Sequence, residues 1–154
     1  MSYKNHVNQK KSAGFTIIEV LIVLAIAGLI LLIVFLAVPA LQRNSRNTSI
    51  KSDVQNVLGG IAEFKAANNG QMPTNISGTG TVTYAGTTPT TINIQGTTIV
   101  SSTAAAPAAA APTLGTIVVS RGFRCDGVAS ARAVAALYSI ETTAAAPVRQ
   151  CSES

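Results

Sequence analysis

The sequence predicts an α+β chain. A long N-terminal helix, half membrane-compatible and half amphipathic, is followed by a small antiparallel β-sheet head. Three observations carry that prediction. Residues 20–38 include no charged or polar side chain, a run that crosses about 30 Å of hydrocarbon as a helix. Residues 41–69 repeat apolar side chains at spacings of three and four. Beyond Met72 the composition turns to Thr, Gly, Asn, Ile and Val, with the period of two expected of strands.

The N-terminus is read first because it decides what the apolar run is for. Residues 1–14 hold Lys4, Lys10 and Lys11 and no acid. The chain's only histidine, His6, lies there too, away from any chemistry. The small-residue site Ser12-Ala13-Gly14 precedes the apolar core, the reverse of a secretory signal peptide, so the hydrophobic helix is expected to stay on the mature protein. Glu19 stands at the outer end of the apolar run, and no basic residue occurs between Lys11 and Arg43. A lone carboxylate near the bilayer interior costs roughly 2–4 kcal/mol. Cutting after Gly14 would supply a counter-charge, the new amino group of Phe15, near the depth of Glu19.

A basic leader, Gly14-Phe15-Thr16, Glu19 and about 20 apolar residues in that order resemble the type IV pilin and pseudopilin family, with a class III signal sequence and a type IVa-like pattern. The resemblance implies cleavage between Gly14 and Phe15 by a prepilin peptidase that also methylates Phe15. It implies that Glu19 pairs with the N-terminus of a neighbouring subunit in a helical filament. Gly28 and Pro39 correspond to the glycine and proline between which such helices lose helicity on assembly, although Pro39 falls a few residues later than in many members. The expected organisation is a cytoplasmic leader (1–14), a transmembrane and filament-core helix (15–40), an amphipathic helix (41–69) and a β-sheet head (70–154).

In the amphipathic part, Ile50, Val54, Val57, Leu58, Ile61, Ala62 and Phe64 or Lys65 mark the apolar face. Arg43, Arg46, Lys51, Asp53, Glu63 and Lys65 supply polar faces. Gly59-Gly60 suggests a close approach of the sheet rather than a hinge. Asn68-Asn69-Gly70 reads as the helix end, with Gly70 in the left-handed position. Residues 81–84, 91–94 and 97–100 are strand candidates, and Gln95-Gly96 reads as a hairpin turn between the last two. The Ala/Pro-rich residues 103–113 read as an exposed loop. Residues 116–120 are a further strand, and Asp126-Gly127 is a turn. Residues 128–141 suit either helix or strand by pattern, and the family resemblance favours strand. Residues 148–151 return the tail to the sheet.

The formal charge of +5 falls to about +2 once the three leader lysines are removed, too little to indicate a nucleic-acid binder by itself. The positive-inside rule places the leader in the cytoplasm and residues after about 40 outside. There Cys125 and Cys151 are expected to form a disulfide, closing a loop whose constraint stabilises by roughly 3 kcal/mol. Two separate buried thiols are the alternative. Outside the leader there is no histidine, and no cysteines stand at metal-ligand spacing. Glu19, Asp53, Glu63, Asp126, Glu141 and Glu153 are scattered, and no phosphate-cradling loop or dinucleotide fingerprint occurs. No enzyme, metal or cofactor is expected. Calcium needs about six to eight oxygen ligands, and only Asp126 is a plausible carboxylate near the cysteine loop. Arg121, Arg124, Arg132 and Arg149 are candidate contacts to DNA phosphates, set against a solvated sheet face with Asp126 and Glu141 as partners.

The function these features imply is that of a structural pilus subunit supporting adhesion, twitching motility or DNA uptake. A pseudopilin of a type II secretion system or competence apparatus is the alternative within the family. A signal-anchored extracellular binding module is the alternative from another class. The implied partners are further copies of the chain, the prepilin peptidase and methylase, an inner-membrane assembly platform with motor ATPases, minor pilins and, before assembly, membrane lipid. The expected location is a single-pass protein of the cytoplasmic membrane with its C-terminus outside. After assembly it would lie in an extracellular pilus, or in a pseudopilus spanning the periplasm or cell wall.

Overall fold

The computed structural model describes residues 14–95, 98–144 and 146–154. The leader positions Lys4, His6, Lys10 and Lys11 lie outside the described residues, as do Gly96 and Thr97. The chain divides into two compact units at Pro39–Ala40. Helix α1, Ile17–Ala67, contributes residues to both.

In the first unit every described residue from Gly14 to Pro39 is exposed. An 18-residue window reaches a mean hydropathy of 3.4, and none of it is buried. The residues are strong helix formers or are stabilised as helix by an apolar environment. The helix runs unbroken through Gly28 and Pro39. A Cβ added at Gly28 would meet nothing within 4 Å.

In the second unit the amphipathic half of α1 packs on one seven-stranded sheet. The strands are β1 Asn75–Thr79, β2 Thr81–Ala85, β3 Thr90–Asn93, β4 Ile99–Thr103, β5 Thr116–Phe123, β6 Ala129–Ile140 and β7 Val148–Glu153. Their order is β3-β2-β1-β4-β5-β6-β7. All neighbouring pairs are antiparallel except β4 and β5, which run parallel. The parallel pair needs a crossover, and the Ala/Pro-rich loop after β4 provides it. Pro112 in that loop accepts a hydrogen bond through its carbonyl from Ser139 Oγ of β6, at 2.5 Å. Residues 129–140 are strand, as the family resemblance favoured over helix.

The core lies between one stripe of α1 and one face of the sheet. Ile50, Val54, Val57, Leu58, Ile61 and Phe64 of the helix pack with Ile76, Val82, Tyr84, Val100, Ile117, Val119, Val134, Ala136 and Tyr138. Full burial of each large apolar side chain stabilises by roughly 1.5–3 kcal/mol. Ala62, placed on the apolar face by spacing, is exposed. Gly60 is the close-approach glycine: a Cβ there would sit 2.6 Å from Tyr84 Cζ. Tyr84 is fully buried and donates its hydroxyl to the Val57 carbonyl at 3.0 Å. Gly59 has no such neighbour.

Two expectations are corrected. The segment at Gln95 is not a hairpin turn, because β3 and β4 are separated in the sheet by β2 and β1. Asp53 does not lie on a polar face. It is fully buried and accepts hydrogen bonds from Gln95 N at 3.0 Å and Thr98 Oγ1 at 2.5 Å. Those bonds hold the chain as it leaves β3 for β4, so a buried carboxylate organises the crossover. At the end of α1 Gly70 is left-handed as expected (φ 79°), and Asn69 before it is left-handed as well (φ 54°). The Gly70 N–H donates to the Lys65 carbonyl at 2.7 Å, the six-to-one bond of a Schellman ending. Asn68 secures the same end, donating from Nδ2 to the Thr88 carbonyl and accepting from Thr88 N.

Candidate assembly site at the start of the long helix

The site is built from five consecutive residues and the turn that follows them. Thr16 precedes the first helical residue, and its Oγ1 accepts a hydrogen bond from Glu19 N at 3.3 Å. The Thr16 carbonyl takes the first helical bond from Val20 N, at 3.4 Å. Thr16 is therefore the N-cap, with Glu19 at the third helical position, one half of a capping box. Phe15 falls just before the cap and Val20 at the fourth helical position, the pair that forms a hydrophobic staple. Phe15, Glu19, Val20, Val23 and Leu24 line one shallow hollow on the helix surface, because residues four apart share a face.

This arrangement brings together the predicted cleavage residue Phe15 and the predicted assembly residue Glu19. Phe15 is 84 % exposed, and the apolar side chains beyond it are exposed as well. Among the described residues Glu19 makes no ion pair. A first-turn carboxylate lies at the favourable end of the helix dipole. Thr16 is the site residue that sequence reasoning misses, although its signal is there in Thr16-x-x-Glu19 immediately before an apolar run.

A model of the prokaryotic N-terminal methylation motif matches residues 9–35. No curated protein and no solved structure matches the chain. Motif, long apolar helix and small sheet head agree. Together these match the type IV pilin and pseudopilin fold. That fold is an N-terminal helix whose amphipathic half packs on a mostly antiparallel sheet. This is the architecture of a non-enzymatic structural subunit. Among the described residues no group of three or more His, Cys, Asp or Glu could hold a metal ion.

Elsewhere the pilin chain's predicted residues are placed as follows. Cys125 and Cys151 form a disulfide across 26 residues, with Cα atoms 5.8 Å apart, tying β7 to the segment after β5. Register sets Arg149 apart from the other three arginines: Arg121 pairs with Val134 of β6, and Arg149 stands five residues further along, opposite Ser139. Arg121 donates from Nη1 to the Pro73 carbonyl at 2.9 Å. Arg124 and Arg132 share a hollow with Glu153, and Lys65 Nζ donates to the Arg132 carbonyl at 3.3 Å.

The acids expected to partner the arginines are also committed elsewhere. Asp126 accepts from Val128 N at 2.9 Å and closes the turn. Glu141 pairs with Arg46 of the helix. Arg46 Nε donates to Oε1 at 2.6 Å and Nη2 to Oε2 at 2.7 Å. Asn47 adds two bonds to the Glu141 backbone, Nδ2 to O at 2.7 Å and N to Oδ1 at 2.8 Å. The hydrogen bonds from Arg46 hold the Glu141 carboxyl below its ordinary range, with a further Coulombic contribution from Arg43. The same bond raises Arg46. Burial, and then the nearby Glu63 charge, push the Tyr84 phenol upward, so it remains a neutral donor.

Proposed function

We propose that this chain is the structural subunit of a type IV pilus. In this reading a prepilin peptidase cuts between Gly14 and Phe15 and methylates the new terminus. The apolar helix then leaves the membrane and packs against its copies along a fibre axis. Glu19 of an incoming subunit attracts the Phe15 amine of a neighbour, which offsets the roughly 2–4 kcal/mol cost of a carboxylate in an apolar surrounding. Each such contact is heterologous and does not close, so repetition gives a helical filament. An assembly platform, motor ATPases and minor pilins drive and initiate growth. The filament serves adhesion, twitching motility or DNA uptake.

The observation that carries the reading is the shared face of Phe15 and Glu19 at the head of an apolar helix with no buried residue in its first unit. A simple membrane anchor needs neither the carboxylate nor a cleavage site before the apolar run. The test is intact mass of the protein from sheared surface material and from membranes. A chain beginning at methylated Phe15 in the sheared fraction is the expected result. A membrane-retained chain that still carries residues 1–14 would remove the filament reading and leave an anchored binding module.

A further inference from the structure

We propose that the head carries a headgroup site for anionic phospholipid, centred on Arg43 and occupied while the subunit is held in the membrane. The proposal rests on reading residues 15–40 as a membrane anchor. Arg43, Leu114, Glu141, Thr142 and Pro147 line one hollow within the second unit.

The charges in that hollow do not cancel. Arg46 occupies both oxygens of the Glu141 carboxylate, so the one nearby acid is already paired. Arg43 lies close enough to act on Glu141 electrostatically, yet among the described residues the Arg46–Glu141 pair is the sole salt bridge. One guanidinium is left uncompensated. In the same hollow stand apolar groups, Leu114 at 43 % exposure and Pro147. An unpaired arginine among exposed apolar groups suits an interface at which stems lie in acyl chains and the planar head binds phosphate through two parallel N–H bonds. The walls are held by bonds already described. Asn47 clamps the Glu141 backbone, and Ser139 holds the Pro112 carbonyl.

Chain length bounds the depth. Arg43 follows Val38, the last residue of the apolar run, by five positions. Five residues span about 7.5 Å as helix and at most about 18 Å fully extended. The headgroup layer occupies about 5–8 Å beyond the hydrocarbon. At that tether length Arg43 can reach the phosphates of the leaflet from which the head emerges.

The test is amide hydrogen exchange on the full chain in nanodiscs of phosphatidylcholine, with and without phosphatidylglycerol. Exchange in residues 112–116 and 141–144 should slow about fivefold in the anionic discs, the effect of one basic side chain near such a surface. Arg43→Gln should abolish the difference and Arg43→Lys should keep most of it. Lys51→Gln, an exposed position outside the hollow, should leave it unchanged. Equal exchange in both lipids overturns the proposal. So does a difference that survives Arg43→Gln, or one lost equally in Lys51→Gln, which would indicate general surface charge. Alkaline carbonate washing separates the two readings. Release of the chain from membranes removes the anchor and the site together, whereas retention without lipid dependence removes the site alone.

Discussion

Residues 17–39 and residues 40–67 belong to one run of helical hydrogen bonds, yet different surroundings satisfy them. In the second stretch a stripe from Ile50 to Phe64 is buried against the sheet, and the opposite face is polar. In the first stretch apolar side chains cover the whole circumference and all are exposed. A helix hydrophobic all round requires a membrane or other protein as its surroundings. The contrast shows where the folding information is complete within one chain and where it is deferred to lipid or to further copies. Changes in the two regions should accordingly be read out by different measurements.

The largest effect is expected at Glu19. Glu19→Ala should lower fibre yield by about 30-fold or more, because it leaves the neighbour's Phe15 amine without a counter-charge in an apolar surrounding, at a cost of roughly 2–4 kcal/mol. Cleavage at Gly14-Phe15 and the thermal stability of the purified chain should be unchanged. Immunoblots of sheared and membrane fractions beside a melting curve measure all three. Normal fibre yield would break the distinction between the two stretches at its most specific point.

The next effect lies wholly within the second unit. Replacing Cys125 and Cys151 together by Ser should cost roughly 3 kcal/mol of stability, the value expected for releasing a loop of this length. Denaturant unfolding of the full chain in detergent would show it. A small change would mean that the sheet register from Ala135 to Ile140 already holds β7 without the covalent bond.

Adjacent glycines then sharpen the comparison at the scale of one residue. Gly60→Ala forces a methyl group into the Tyr84 ring and should destabilise by about 1–3 kcal/mol, the usual cost of overpacking. Gly59→Ala meets nothing within 4 Å and should stabilise by up to about 1 kcal/mol through helix propensity. Opposite signs in paired melting curves are the expected outcome. Equal signs would contradict the packing of α1 on β2.

The same two stretches differ in how far the amino-acid sequence alone makes them legible. The apolar run, the Ile50–Val54–Val57–Ile61 stripe and strands β2, β3 and β5 follow from periodicity, because period reports which side of an element meets water. Strand β6 is ambiguous by pattern and is favoured as strand only by the family resemblance. Asp53 lies three residues after Ile50 and four before Val57, so the same periodicity puts it in the core. Its charge suggests the opposite, and the bonds that overrule the charge come from Gln95 and Thr98, more than 40 residues away. The β3–β4 crossover is hidden for the same reason, since local turn residues do not report which strand a chain will join. Strand β1 is obscured by Gly78 and Gly80. Gly78 is needed because a Cβ there would lie 2.9 Å from the Thr81 carbonyl carbon. At the assembly site Phe15 and Glu19 are legible from their motif, and Thr16 is legible in principle as a cap. Register keeps Arg121, Arg124 and Arg132 along the same β5–β6 stretch but sets Arg149 opposite Ser139, further along β6, which sequence proximity does not encode.

The smallest expected effect is a dependence on pH at Arg46 and Glu141, where the second unit's helix meets the end of β6. Glu141 titrates below its ordinary value of 4.5 because Arg46 hydrogen-bonds its charged form. A depressed folded value means that the unfolded chain takes up the proton first. The contribution of the pair is therefore complete above that ordinary value and fades as pH falls through it to the lower folded value. Arg46 is raised above its ordinary value by the same bond, so it stays charged and its own contribution is constant over any pH at which the chain stays folded. Glu141→Gln should flatten the acid limb of the stability curve below the ordinary value of about 4.5 and leave neutral stability little changed, since both side chains are solvent-accessible and screened. The acid limb is best followed by melting temperature in low salt, with 0.5 M salt as the screened control on the order of a few ångströms of Debye length. A wild-type curve with no step in that window would show that the Asn47 bonds to the Glu141 backbone, which do not titrate, hold this junction by themselves.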